Sequence, residues 1–292
     1  MGAGGSGPGP RALLQRLALA LFLLYCAVFP GSTVTLALDR VPAWGEWMGA
    51  ALLAVQGLAV ACWLPGRYGR RGLLALAAAL ALAWCVEHIG ETTGLPFGRY
   101  RYTEMLQPQI LGVVPAPIAL AWLMAALGSW QLARLALGGR RPGLDPALVA
   151  LTGLLVVVLD LQIEPVATLV RPYWVWLDAG PYYGVPLANF AAWWAVGVVM
   201  ALLVSLALGP SRAPQPADSR PGWLPAVSGH IPALLYLLSS LMFTAVNFAH
   251  GYPLAGVVGL SALVAAAIFA ARSAARRGEI GQAEETARES SP

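Results

Sequence analysis

Eight apolar runs, each near the length of a bilayer-spanning helix, leave this chain little room for a water-soluble core. A spanning helix needs about 20 predominantly apolar residues. The runs lie at roughly 12–30, 47–64, 72–91, 110–137, 146–164, 187–208, 230–249 and 252–271. Only 11% of the residues are charged and 58% are hydrophobic, whereas a soluble domain carries roughly 25% charged residues. The expected fold is all-α: a polytopic membrane bundle of about eight helices. The first run has no small-x-small cleavage site, and Tyr25 before Cys26 spoils a lipoprotein site, so it reads as a helix rather than a signal peptide. One transmembrane domain over 12–275 is expected, with disordered ends at 1–11 and 276–292 and a flexible, Pro/Ser/Arg-rich cytoplasmic linker at 209–222.

The positive charges orient this bundle. All 18 basic residues are Arg. Fourteen fall on alternate flanks and loops, as in Arg67, Arg70 and Arg71 or Arg134, Arg140 and Arg141, while Arg40, Arg99, Arg101 and Arg171 fall on the other side. The positive-inside rule places both termini in the cytoplasm. Two long aromatic loops then share the outer face: one follows the third helix, and the other runs from Glu164 to Pro186. The basic balance reflects membrane flanks, and no basic helix or aromatic platform suggests nucleic acid. Cys26, Cys62 and Cys85 sit in apolar runs without metal or disulfide spacing.

Polar residues from separate helices reach one depth. At 1.5 Å per residue, Glu87 and His88 lie in the outer third of the third helix, with Glu91 at its mouth. Asp160 and Glu164 of the fifth helix, Asn189 of the sixth, and Asn247 and His250 of the seventh reach the same level. Glu87 and Glu91 are four residues apart, as are Asp160 and Glu164, so each pair shares a helix face. Two carboxylates on one face repel unless protonated, paired or metal-bound. Intramembrane carboxylates are costly and by default mark function. A carboxyl kept protonated near neutral pH can act as a general acid. The structural alternative is an interfacial group paired with Arg99, Arg101 or Arg171; a lone His250 or His230 reads as structural. No Walker motif, GxGxxG, GxSxG or HExxH is present, and there is no second Asp-rich motif to hold magnesium diphosphate.

Three stretches carry a resemblance: EHIGETTGLPFGRYRYTE, LDLQIEPVA and WVWLDAGPYYGVPLANFAAWW. Together they resemble the CruF-type carotenoid hydratase family of membrane proteins, over roughly Glu87 to Trp194. The resemblance implies carotenoid biosynthesis, with water added across the terminal 1,2 double bond of an acyclic (ψ) end. It implies a lycopene-like, γ-carotene-like or C50-precursor substrate, with water as co-substrate, lipid as surroundings and other carotenoid enzymes as possible partners.

Markovnikov hydration needs a proton donor at C2, a wall for the tertiary cation at C1 and a water path, but no organic cofactor and no metal. Aromatic faces stabilise nearby cations by roughly 0.5–2 kcal/mol each. Asp160 or Glu87 is expected to donate the proton, and Glu164 or Glu91 to tune the donor and orient water. Arg99 would neutralise the carboxylate formed. Tyr100, Tyr102, Trp174, Trp176, Tyr182, Tyr183 and Asn189 would contact the substrate. Gly94, Gly98 and Gly184 would let the loops turn tightly, and Pro96, Pro181 and Pro186 would stiffen them. The site would face the outer boundary of the cell membrane. Alternative readings are a lycopene cyclase or prenyl-transferring elongase, and a proton-coupled transporter; polar groups confined to one depth and the lack of inverted repeats count against the transporter.

Overall fold

A computed structural model describes residues 9–138, 144–209 and 223–289, with side chains as far as Ala275. Nine α-helices occur among the described residues: α1 (Pro10–Ala37), α2 (Met48–Tyr68), α3 (Arg70–Thr93), α4 (Ala116–Ala136), α5 (Pro146–Pro165), α6 (Leu187–Leu208), α7 (Trp223–Gly229), α8 (Ile231–Ala249) and α9 (Pro253–Glu289). All but the short α7 contribute to eight segments long and apolar enough to cross a membrane. The protein is an all-α polytopic bundle. α4 sits at its centre: its membrane-length window is 78% buried, against 17% for α1. Small residues let the helices approach, as is usual where lipid gives no hydrophobic drive between them. A Cβ at Gly197 of α6 would lie 3.1 Å from the Gly153 Cα of α5.

Two differences from the sequence expectation have local causes. The helix expected over 110–137 starts only at Ala116, because β2 (Gln109–Ile110) and β3 (Val114–Pro115) form a tight hairpin there. Leu111 and Gly112 take φ of 54° and 70°, which a right-handed helix excludes. The stretch after Ala275, expected to be disordered, continues α9 as helix to Glu289. Its Ala, Arg, Glu and Gln are strong helix formers. The expected linker lies almost wholly outside the described residues, as do residues 1–8 of the expected N-terminal segment.

The two ends of the bundle are built differently. At the Arg-rich end, side chains tie helix ends together: Arg11 donates to the Arg67 carbonyl (2.8 Å) and Arg134 to the Tyr68 hydroxyl (3.0 Å). At the other end the long loops make structure of their own. β1 (Tyr100–Tyr102) pairs antiparallel with β4 (Trp174–Trp176), setting Tyr100 against Trp176 and Tyr102 against Trp174. Gly94, with φ of 80°, ends α3 and turns the chain toward β1.

Candidate functional site

The ribbon of β1 and β4 lies over the ends of α3 and α5, and strand alternation decides what it presents. Successive side chains point to opposite faces. Tyr100, Tyr102 and Trp174 are buried and Trp176 half-buried, while Arg101 and Val175 face outward. Each inward ring carries a hydrogen-bond donor, and each donor finds a carboxylate. The Tyr100 and Tyr102 hydroxyls both donate to Glu87 Oε2 at 2.6 Å. The Trp174 and Trp176 indoles donate to Glu164 Oε2 at 3.3 and 2.9 Å. One strand therefore serves one carboxyl group and its partner strand serves the other.

The helices complete both sets. Trp122 of α4 donates to Glu87 Oε1 at 2.6 Å. Asn189 of α6 donates through one amide nitrogen to Asp160 Oδ2 (2.8 Å) and to Glu164 Oε1 (3.1 Å). Asp160 is fully buried, and its Oδ1 has no partner. Gly90, one turn beyond Glu87, makes room for β1: a Cβ there would come within 2.7 Å of Phe97 and 2.8 Å of the Tyr100 hydroxyl. Burial, with the Glu87 charge beside each ring, pushes both the Tyr100 and Tyr102 hydroxyls well above the usual phenol range. Both hydroxyls act as donors to Glu87.

Pro165 shapes α5 at this point. Proline has no N–H for the carbonyl four residues back, so Leu161 O is freed, and the Tyr182 hydroxyl donates to it at 2.6 Å. The helix widens into a π turn at Val166–Val170, a feature common near functional sites. Asn247 of α8 donates to the Gln162 carbonyl at 2.8 Å.

Glu87 and Glu164 face one cavity of about 500 Å³. Its walls are almost entirely apolar or aromatic. Trp193 of α6 stacks on Trp122, with ring centroids 4.1 Å apart, and both line it. From the carboxyl groups the cavity runs to the α1–α2 connection at Val41, Pro42 and Trp44, where Trp44 is 71% exposed. An apolar chamber with a few converging polar groups is the usual form of a small-molecule site.

The model of a family described as carotenoid biosynthesis protein matches residues 48–266, well over half of the chain and every carboxyl group named above. The chain belongs to this family. It is also 33% identical over 134 residues to the bisanhydrobacterioruberin hydratase of Haloarcula japonica. That match covers 46% of this chain and 45% of the relative's length. No solved structure matches. The protein is thus a membrane protein of carotenoid biosynthesis with a hydratase among its relatives.

Within this carotenoid biosynthesis protein, the residues singled out in the sequence divide into three groups. Glu87, Glu164, Asn189, Tyr100, Tyr102, Trp174 and Trp176 line the cavity. Asp160 stands behind them, reached through Asn189. The rest lie elsewhere. Arg99 is 68% exposed and forms an ion pair with Asp178 at 2.6 Å. Its Nε and backbone N–H also donate to that carboxylate. Glu91 is half-buried toward Arg101. Tyr182 braces α5, and the Tyr183 hydroxyl accepts from the Leu254 backbone N–H at 3.2 Å. His250 contacts the Leu36 carbonyl, in keeping with a structural role. Sequence reasoning missed Trp122, Trp193 and Asp178. Asp178 and Trp193 both sat in plain view in the quoted motif. Trp122 lay inside an apolar run with nothing to separate it from lipid-facing rings.

Proposed function

We propose that this protein adds water to the terminal 1,2 double bond of an acyclic carotenoid end lying in the cavity. The observation that carries this reading is the meeting of an apolar chamber with two buried carboxyl groups, each gripped by aromatic donors. The hydratase relative supports it. So does the chemistry, which asks for a proton, a cation-tolerant wall and a water.

An ionised carboxylate offers about four acceptor sites. Glu87 uses three, for Tyr100, Tyr102 and Trp122, and keeps one for water. Asp160 and Glu164 share a single Asn189 amide and leave Asp160 Oδ1 bare, an arrangement suited to holding one proton between them. Glu164, the member that faces the cavity, delivers that proton to C2. The π pair forms the new C–H bond, and C1 becomes a tertiary cation against the stacked Trp122 and Trp193. Water held by Glu87 bonds to C1 and gives up a proton to Glu87, and that proton returns to the pair. The sum is one water added. The Arg distribution supports a ribbon end at the outer face of the cell membrane, from which water would reach the site.

The test is mass-resolved pigment analysis of a lycopene-producing bacterium expressing this chain, with γ-carotene and C50-precursor strains alongside. Products heavier by one water per reacted end are expected. Isomers of unchanged mass would mean cyclisation, and products heavier by an isoprene unit would mean prenyl transfer. Either would overturn the reading.

A further inference from the structure

A second polar group lines the same cavity and takes no part in the chemistry above. Tyr25 of α1, Gln56 of α2 and Ser239 of α8 are 1%, 3% and 0% exposed, and all three line the chamber. Ser239 donates its hydroxyl to Gln56 Oε1 at 2.9 Å. The Tyr25 hydroxyl lies beside Ser239 yet is buried without a hydrogen-bond partner. The Gln56 amide nitrogen donates to no group among the described residues. The Tyr25 hydroxyl is thus a buried donor without a partner, and the Gln56 amide nitrogen is a second donor on the chamber wall. Buried polar groups are nearly always paired, and an unpaired one needs a reason.

The neighbours fix where this group stands relative to the carboxyls. Both flank α4. Trp122 reaches Glu87 from one side of that helix, while Met124 Sδ lies 4.0 Å from Ser239 Oγ on another. The two groups thus meet different side chains of α4 and share one chamber. A ligand that fills the chamber with its end at Glu87 and Glu164 also meets Tyr25 and Gln56 on its wall.

We propose that Tyr25 and Gln56, held by Ser239, form a second subsite that binds an oxygen substituent of the carotenoid. The group taken is a hydroxyl or keto oxygen on the arm that lies in the chamber. Two donors without a matching acceptor call for an acceptor oxygen. This inference rests on the reading that the chamber holds a carotenoid arm, and it adds that a pure hydrocarbon is the poorer ligand. A site whose donors are left empty by an analogue rejects that analogue.

The test compares two acyclic carotenoids in membranes containing the protein: one a hydrocarbon, the other carrying a keto or hydroxyl group on the reacting arm. We expect kcat/KM to favour the oxygenated compound by about tenfold, the worth of one net hydrogen bond. In the Tyr25→Phe, Gln56→Leu double variant that ratio falls to about one. No preference in the unmodified protein overturns the proposal. So does an equal loss on both compounds in the variant, which is what a bound water or a packing role would give. Retention of each pigment on the purified protein, read from visible absorption, gives the same ratio without turnover. A preference there in the absence of any hydrated product would leave the subsite standing and remove the hydratase reading instead.

Discussion

Glu87 and the Asp160–Glu164 pair are two answers to one problem, a carboxyl group buried in a membrane protein. Glu87 is met by three donors from β1 and α4, and its neighbour one turn on, Glu91, is half-buried toward Arg101. That is the environment of a fixed anion. Asp160 and Glu164 are one turn apart, divide one Asn189 amide, and leave an oxygen bare. That is the environment of a shared proton. Glu164 is also met by three donors, Trp174, Trp176 and Asn189, so the difference teaches that neither depth nor donor count assigns roles here; the bare carboxyl oxygen of Asp160 one turn away does.

Removing each charge in turn is the strongest way to break the comparison. Glu164→Gln should lower hydrated product by about 10²–10⁴-fold, the usual worth of a general acid. Glu87→Gln should lower it by about 10²–10³-fold, comparable to the loss of an oriented electrostatic group. Asp160→Asn leaves the cavity-facing acid in place, so a loss nearer tenfold is expected. Product per unit of membrane-inserted protein measures all three. An Asp160→Asn variant as inactive as Glu164→Gln would move the acid to Asp160, one of the two donors the sequence itself suggested.

The next effect is on stability, and it asks whether the two carboxyls carry different charge. Tyr100→Phe removes a hydrogen bond to an anion and should cost about 1.5–3 kcal/mol. Trp176→Phe removes a bond to a proton-sharing group and should cost about 0.5–1.5 kcal/mol from that bond. Thermal unfolding in detergent reads both. The Trp change also removes ring area, so finding it the milder of the two would be the stronger result. The reverse order would place the fixed anion at Glu164.

How much of this was legible depends on the range of each interaction. The spans were legible because about 20 apolar residues in a row have few other uses. The meeting of Glu87, Asp160, Glu164 and Asn189 was legible because helix rise converts sequence position to depth. The ribbon was not. YRY and WVW are three residues each, too short for alternation to show, and they pair across some seventy positions. Without the ribbon, Tyr100 and Trp176 could be placed near the site but not assigned a carboxyl. Trp122 was hidden by its own setting, since an indole in an apolar run looks the same whether it meets lipid or Glu87. Tyr182 was read as a substrate contact because its true partner, the carbonyl freed by Pro165, belongs to the backbone.

Arg99 stands apart from both carboxyl sites in the structure, and it gives the smallest prediction. In sequence it stands twelve residues from Glu87 and looks like a counter-ion. In the structure it sits outside the ribbon, spent on Asp178. The Arg99 guanidinium holds the Asp178 carboxyl below the usual carboxylate range. Any stability from the pair is therefore present at neutral pH and lost as the pH falls through that lowered range. The pair is exposed and screened by salt. Asp178→Asn should lower the unfolding temperature slightly at low salt, with the difference gone at high salt. The ratio of hydrated to unhydrated pigment should not move, because neither carboxyl site includes Arg99. If that ratio changed once Arg99 was released, Arg99 would reach Glu87 in the working protein, and the fixed-anion account of Glu87 would have to include it.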